Sequence, residues 1–147
     1  MGAIIYKYIN YKEKEFKDVI NLRYDLLFKP YNKIDKYYYD ELDPISFHLI
    51  VLDKEKLVAY SRITNINGKG KITNVVVSKD YKNMGIGFEM IRLHIKKAKE
   101  NNIRFVYLNS RLDTINFYKK SGFKCSENKI LSERSGLVLQ KMYINIL

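Results

Sequence analysis

The sequence has one cysteine in 147 residues and no apolar segment as long as a membrane span. A single thiol cannot form an internal disulfide, which argues against a disulfide-stabilised extracellular fold. A transmembrane helix needs about 20 mostly apolar residues, and the apolar runs here are much shorter. Lysine and tyrosine interrupt residues 1–7, so this stretch lacks the pattern of a signal peptide. We therefore expect a cytoplasmic protein with no membrane contact.

Acidic residues are scarce relative to basic residues, with 16 Asp and Glu against 27 Lys and Arg and a net charge of +11. Such an excess is typical of nucleic-acid-binding proteins. Here the basic residues are spread along the chain and form no block. We therefore do not expect nucleic acid to be the main partner, although the charge favours an anionic ligand. No spacing of Cys, His and acidic residues indicates a metal site, so no metal is expected.

Length and composition predict one folded domain over residues 1–147. The chain is 46% hydrophobic and 14% aromatic, which argues against disorder. Apolar patterns predict strands at residues 4–9, 47–52, 56–64, 71–78, 104–109, 123–127 and 136–145, and helices at 13–28, 87–101 and 113–121. Pro30 should end the first helix, Asp113 should cap the third, and Gly122 should end it. The Tyr-rich segment 31–44 is a loop or a short helix.

The order of these elements predicts an α/β protein of the α+β type. A meander of strands leads into a strand–helix–strand unit, which gives a mixed sheet of six to seven strands with helices on both faces. The connection from the fourth to the fifth strand should be parallel and right-handed. The last two strands can form a hairpin.

The most informative stretch joins the end of the fourth strand to the helix after it. Gly85 and Gly87 open that helix. Backbone N–H groups at a helix N-terminus have no intrahelical partner and bind anions, and glycine lets a phosphate come close. Two known phosphate loops do not fit. Phe88 and Glu89 follow the last glycine, which excludes a Walker A loop, and Met90 stands where the dinucleotide fingerprint needs a third glycine or alanine.

The turn Lys82-Asn83-Met84-Gly85-Ile86-Gly87 instead resembles motif A of the GNAT acetyltransferase superfamily, which cradles the pyrophosphate of acetyl-CoA. The stretch Asn116-Phe117-Tyr118-Lys119-Lys120-Ser121-Gly122-Phe123 resembles motif B, whose usual form is Phe-Tyr-x-Lys-x-Gly-Phe. The strand order outside the motifs also agrees, so the resemblance covers essentially the whole chain and is weakest in residues 1–45. It implies a GNAT fold with a mostly antiparallel sheet, and direct transfer of an acetyl group from acetyl-CoA to a primary amine of a small molecule or peptide in a ternary complex.

The resemblance also implies where acetyl-CoA binds. Its pantetheine arm would fill a gap where the fourth and fifth strands splay apart, and its pyrophosphate would contact the glycine turn. The implied cofactor-binding residues are Val75, Val76, Val77, Lys82, Asn83, Met84, Gly85, Ile86, Gly87, Phe88, Asn109, Asn116, Phe117 and Lys120. Lys82 replaces the usual Arg or Gln, which is a mild change because backbone N–H groups make the main contacts.

Tyr118 is the implied general acid, because the Tyr at this position in the family often protonates the departing CoA thiolate. A phenol within hydrogen-bond reach can do this. The alternative is an aromatic side chain that only packs beside Phe117. The general base stays open. Many family members use a Glu on the fourth strand, but this chain has Asn74 there, which leaves Glu41, Asp43 or water.

A bacterial GNAT subgroup resembles this chain most closely around residues 22–30, 48–52, 62–63 and 108–111. By this resemblance Arg23, Arg62, Asn109 and Arg111 would line the acceptor pocket, while a surface or ion-pair role is the alternative for each arginine. The Pro-His pair that the subgroup often carries near the last strand is replaced by residues 137–139, Leu-Val-Leu.

The remaining reactive side chains have no clear place in this scheme. His48 is expected to be a half-buried structural residue, His94 has no partner visible in the sequence, and Cys125 is expected to be a buried thiol. Two other functions stay open: a CoA-binding sensor that has lost catalysis, which Asn74 favours, and a basic nucleic-acid-binding module. The resemblance also allows a homodimer, although no dimer surface is visible in the sequence.

Overall fold

The protein is built on a seven-stranded sheet with the strand order β1-β2-β3-β4-β5-β7-β6. The computed structural model describes residues 3–31, 40–132 and 135–146. The strands are β1 (Ile4–Ile9), β2 (Ser46–Asp53), β3 (Lys56–Ile66), β4 (Lys69–Val77), β5 (Phe105–Arg111), β6 (Lys124–Leu131) and β7 (Val138–Asn145). β1 to β4 form an antiparallel meander, β4 and β5 are parallel, and β7 lies antiparallel to both β5 and β6. The predicted mixed sheet and its C-terminal hairpin are confirmed.

Helices cover both faces of this sheet, as predicted. They are α1 (Phe16–Arg23), α2 (Ile86–Glu100) and α3 (Ile115–Lys120). On β2, Ile50 packs in one cluster with Phe16 and Val19 of α1. Its neighbour Leu49 packs in another cluster with Met90 of α2. Because successive strand residues point to opposite faces, α1 and α2 lie on opposite sides of the sheet.

The first helix differs from its prediction at both ends. It begins at Phe16 rather than at residue 13, and it continues as a π-helix over Tyr24–Phe28 and a 3-10 turn over Lys29–Tyr31. The helical segment therefore ends one residue after Pro30. Most of the Tyr-rich segment, residues 32–39, lies outside the described residues. Its last part, Asp43–Ile45, forms a 3-10 turn that leads into β2.

Two local predictions near α3 are wrong and one is confirmed. Asp113 does not cap α3, because it lies in the preceding 3-10 turn and Thr114 occupies the cap position without a side-chain cap bond. Gly122 ends the helix as predicted, with φ of +99° and an N–H that donates to the Lys119 carbonyl at 3.0 Å. Cys125 is exposed on β6, the last strand of the sheet, rather than buried. None of the helices among the described residues is long and apolar enough to cross a membrane.

Candidate active site

A cleft opens where β4 and β5 separate. The two strands pair only at Gly70 with Val106 and at Lys71 with Tyr107. Gly70 has no room for a side chain, since a Cβ atom there would lie 3.0 Å from Ile63 Cδ1 on β3 and 3.3 Å from Ile103 Cγ2. Beyond this point the strands diverge around a cavity of about 690 Å³. The gap implied by the sequence resemblance is therefore present.

β4 carries a bulge inside this cleft. Its register against β3 shifts between the pairs Tyr60–Val76 and Arg62–Thr73, so β4 has one extra residue. Asn74 lies at the shift in the left-handed region, with φ of +58°, and is buried. Bulges bend a strand and are frequent beside active sites. The residues that follow, Val75, Val76 and Val77, line the cleft, and no described strand pairs with β4 on their cleft side.

The glycine turn forms the far end of the cleft. Gly85 is the residue before α2 and has φ of +80°, a conformation that favours glycine. Gly87 lies on the first turn, and a Cβ atom there would be 3.1 Å from the Phe117 ring. The predicted residues of this turn that line the cleft are Lys82, Asn83, Gly85, Ile86, Gly87 and Phe88. Met84 does not line it and is 57% exposed.

Tyr118 and Phe117 form one wall of the cleft. Tyr118 is nearly buried, with its ring in edge contact with Phe117 and Phe123. Burial raises the pKa of the Tyr118 phenol to about 12, although the positive charge of Arg111 acts in the opposite direction. The phenol is therefore protonated at neutral pH and can donate a hydrogen bond.

The fifth strand supplies two predicted residues to the cleft. Asn109 and Arg111 both line the cleft. The Asn109 Oδ1 atom is buried and has no hydrogen-bond partner among the described residues. Arg111 is half exposed, and its Nε lies 3.4 Å from Asp113 Oδ1. Two other predicted cofactor residues are not brought to this cavity: Asn116 is absent from its lining, and Lys120 borders a separate groove beside α2.

Arg23 and Arg62, which were predicted to contact the acceptor, are instead buried in a four-charge cluster with Asp40 and Asp43. Arg23 donates to both carboxylate oxygens of Asp43 at 2.9 and 3.2 Å. Arg62 donates to Asp40 Oδ1 and Oδ2 and to Asp43 Oδ1 at 2.6–2.7 Å. The exposed fraction is 0% for Arg23 and Asp43 and 3% for Arg62. Buried charges require such pairing, and neither arginine lines the cleft.

This cluster also removes one candidate general base. Asp43 is paired with two arginines and has no exposed surface, so it cannot reach the acceptor. Glu41 is exposed and does not line the cleft. Across residues 3–31, 40–132 and 135–146, no Asp, Glu or His side chain lines the cavity.

Both histidines are buried away from the cleft. His48 donates its Nε2–H to the Asp43 carbonyl at 2.8 Å, and its Nδ1 accepts from the Tyr60 hydroxyl. The two ring nitrogens of His94 lie 2.9 Å from Tyr8 Oη and 2.7 Å from Ser61 Oγ. Burial lowers the pKa of both, to about 3 for His94. His48 is structural as expected, though more deeply buried, and His94 has partners that the sequence did not reveal.

Several cleft residues were missed by sequence reasoning. They come from the π-helix and the 3-10 turn after it, from β4 and β5, from the turn before α3, and from β7 and the segment before it: Leu26, Leu27, Tyr31, Thr73, Ser110, Thr114, Ser135 and Leu139. Their residue types carry no motif. Only Leu26 and Leu27 are marked by unusual backbone geometry, because they lie in the π-helix Tyr24–Phe28. Such turns are rare in proteins overall, but those that occur are often at functional sites.

The chain is similar to a known protein family over most of its length. The model of the acetyltransferase (GNAT) family matches residues 16–123, a range that contains the glycine turn, the β4 bulge and Tyr118. The chain belongs to the GNAT family. It is therefore an acyltransferase of the N-acetyltransferase type, in a family that uses acetyl-CoA.

Individual GNAT proteins are similar over nearly the whole chain. The uncharacterized N-acetyltransferase YjcF of Bacillus subtilis strain 168 is 30% identical over 137 residues, which are 93% of this chain and 91% of that protein. An acyl-CoA N-acyltransferase from Pseudomonas aeruginosa superposes with a TM-score of 0.81 at 20% identity, over 96% and 99% of the two chains. An aminoglycoside 6′-N-acetyltransferase solved with coenzyme A gives 0.76 at 15% identity, over 97% of each. At these identities the two structures establish the shared fold.

Proposed function

We propose that this GNAT protein binds acetyl-CoA between β4 and β5 and passes the acetyl group directly to a primary amine in a ternary complex. The observation that carries the proposal is the course of the cleft. It runs from the unpaired side of β4 to the N-terminus of α2, so one extended ligand with a phosphate group can contact both. The CoA bound to the structurally similar aminoglycoside enzyme supports this choice of ligand.

The residues of the cleft fit CoA in three respects. On the side away from β3, the backbone of Val75, Val76 and Val77 pairs with no described strand and can hydrogen-bond the amides of an extended arm, as an added strand does. The first N–H groups of α2 can bind a pyrophosphate. Gly87 lets the Phe117 ring pack against this turn, and Lys82 adds a positive charge at the cleft.

Acetyl-CoA supplies an activated acyl group, and Tyr118 acts on its sulfur when the thiolate leaves. With a pKa of about 12, the phenol is less acidic than an ordinary thiol, whose pKa is about 8.5. Full proton transfer from Tyr118 to the thiolate would therefore be unfavourable. We expect Tyr118 to act mainly by donating a hydrogen bond that stabilises the developing charge.

The attacking amine must lose a proton before it becomes a nucleophile. The described lining of the cleft contains no carboxylate or imidazole. We therefore propose that water in the cleft accepts this proton. The buried Oδ1 of Asn109, which has no partner among the described residues, is suited to accept an N–H from the ligand or the amine.

The acceptor is proposed to be a small molecule or a peptide with a primary amine. Arg111 lies at the cleft and would contact it. One structurally similar protein, a spermidine N-acetyltransferase chimera with a TM-score of 0.70, acts on a polyamine, as its name states. For this chain, cytoplasmic location and the homodimer stay predictions.

The test is thermal unfolding with acetyl-CoA, CoA, ATP, NAD and a short DNA duplex, followed by thiol release with a panel of primary amines. A ligand that binds only the folded state raises the melting temperature by mass action. We expect acetyl-CoA and CoA to raise it and the other compounds to have little effect. No shift at millimolar acetyl-CoA would overturn the proposal. A shift with DNA alone would favour the nucleic-acid-binding module.

A CoA-binding sensor without catalysis is the second candidate. Asn74 stands at the β4 position where many family members have an acid, and no described acid lines the cleft. The thermal unfolding and thiol-release experiment also distinguishes the sensor from the enzyme. A melting shift with no thiol release for any amine supports the sensor, whereas amine-dependent thiol release excludes it.

A further inference from the structure

Arg62 is connected to the cleft, although it does not line it. Its Nε–H donates to Thr73 Oγ1 at 2.7 Å, and Thr73 is part of the cleft wall. Its two terminal nitrogens donate to Asp40 and Asp43. One planar guanidinium therefore joins the wall of the cleft to the segment that precedes β2.

Thr73 lies at the inner end of the cleft. It precedes the bulge at Asn74 and follows Lys71, the last residue of β4 that pairs with β5. At about 3.3 Å per strand residue, Thr73 is about 13 Å from Val77, which lies next to the glycine turn. If phosphate occupies the glycine turn, the reactive end of an extended ligand lies toward Thr73. Arg62 thus contacts the wall at the end where the acyl group meets the amine.

The other arm of Arg62 fixes residues 40–43. The Asp40 N–H donates to Asp43 Oδ2 at 2.9 Å, and the Leu42 N–H donates to Asp40 Oδ1 at 3.0 Å. The carboxylates that bind Arg62 therefore also fold their own backbone. In the chain this segment follows residues 32–39, and Tyr31 on their other side lines the cleft.

We propose that Arg62 is a positioning residue for acyl transfer, which holds Thr73 at the inner end of the cleft and ties it to residues 40–43. This inference rests on the proposed function and replaces the predicted acceptor contact of Arg62. Four hydrogen bonds from one rigid fork require arginine, because lysine offers a single point charge. Thr73 accepts from Arg62, so its own O–H can donate into the cleft.

The test compares Thr73→Val and Asp40→Asn with Thr73→Ser and with Glu15→Gln. Glu15 forms a solvent-exposed pair with Lys7 and serves as the matched control for loss of one carboxylate charge. Each protein is assayed for acetyl-CoA affinity by calorimetry, and for kcat and KM with the amine that gives the fastest thiol release. Hydrogen–deuterium exchange of residues 40–46 is measured in parallel.

We expect Thr73→Val and Asp40→Asn to bind acetyl-CoA within about twofold of wild type but to lose about fivefold or more in kcat/KM for the amine, the factor equivalent to one hydrogen bond. Thr73→Ser keeps the hydroxyl group and should have the wild-type kcat/KM. Glu15→Gln should not change kcat/KM. Asp40→Asn should also raise exchange in residues 40–46. Such a split separates positioning from a general loss of stability.

Three outcomes would overturn the inference, and each is distinct from the others. If wild type turns over amines and both variants match it in kcat/KM, Arg62 has only a structural role. If acetyl-CoA affinity falls as much as kcat/KM does, the cluster supports the whole fold and not the acceptor end. If wild type binds no acetyl-CoA, the proposed function itself fails and the positioning role fails with it.

Discussion

At the scale of single residues, Tyr118 is the side chain to which the proposed function assigns the chemistry. We expect Tyr118→Phe to lower kcat about 10- to 1,000-fold, as loss of one stabilising donor does, while the melting temperature stays near that of wild type. The ring contacts with Phe117 and Phe123 are apolar and survive the change. Steady-state thiol release and a melting curve measure the two effects.

Tyr107→Phe is the matched control for that substitution. Tyr107 lies on β5, its ring contacts Phe105, and it does not line the cleft. Loss of its hydroxyl should leave kcat unchanged. If Tyr118→Phe retains full turnover, or if Tyr107→Phe loses as much, the phenol of Tyr118 has no specific role.

The sequence predicted some residues of the cleft lining correctly and others wrongly, for a physical reason. Gly85, Gly87 and Tyr118 were found because a helix start or a local motif fixes their surroundings within a few positions. Arg23 and Arg62 were misplaced because their partners lie about 20 residues away along the chain. Whether an arginine is buried with a carboxylate or faces a ligand depends on packing between elements, which residue type alone does not encode.

At the scale of elements, His94 connects α2 to β1 and β3 through the hydroxyls of Tyr8 and Ser61. Burial lowers its pKa to about 3, whereas an unfolded chain has about 6.5. Between these values the unfolded state binds the extra proton, so acid destabilises the fold. Stability is therefore complete above about pH 6.5 and falls as the pH decreases toward 3.

We expect His94→Gln to flatten this acid dependence. Glutamine can still bond both hydroxyls but does not titrate, so the loss of unfolding free energy below pH 6.5 should be smaller by up to about 1.4 kcal/mol per pH unit. Urea unfolding at pH 7.5, 6 and 5 measures the free energy of unfolding at each pH. The wild-type dependence also includes His48, whose pKa is lowered by burial. Equal slopes for His94→Gln and wild type would contradict a buried neutral His94.

The contact between α2 and α3 gives a second prediction for an element. A Cβ atom on Gly87 would lie 3.1 Å from the Phe117 ring, so in Gly87→Ala the ring must shift by a few tenths of an ångström. We expect weaker acetyl-CoA binding, because Phe117 and the first turn of α2 both line the cleft. Isothermal calorimetry measures it. Phe117→Leu in the Gly87→Ala background should restore part of the affinity by making room; failure to do so would contradict a steric cause.

The regular strands and helices were predicted from the local apolar pattern, whereas the irregular elements were not. Strands and helices with a clear apolar period were found within a few residues. The β4 bulge at Asn74 and the π-helix at Tyr24–Phe28 were missed. A bulge adds one residue to a strand relative to its partner. It therefore depends on the pairing of two strands, and the apolar pattern of β4 alone does not predict it. These two irregular elements both border the cleft.

At the scale of the whole molecule, the order of elements was enough to predict a mixed sheet with a meander, one parallel pair and a final hairpin, but not that β7 lies between β5 and β6. A meander, a crossover helix and a final hairpin leave few arrangements of seven strands, because crossovers are right-handed and neighbours in sequence tend to pair. The acceptor end was harder to predict. The cleft as a whole is lined by the π-helix, residue 135 and β5, which are far apart in the chain and carry no shared motif.

The net charge of +11 gives a prediction for the whole molecule. CoA is an anion, and a positive field attracts it less as salt shortens the Debye length from about 14 Å at 50 mM to about 4 Å at 500 mM. We expect the Kd for CoA to rise several-fold over this range. Lys82→Gln, at the cleft, should weaken binding and reduce the salt dependence, whereas Lys129→Gln on the edge strand β6 should change neither. If both variants behave alike, the attraction comes from total charge; a Kd independent of salt would contradict an electrostatic contribution altogether.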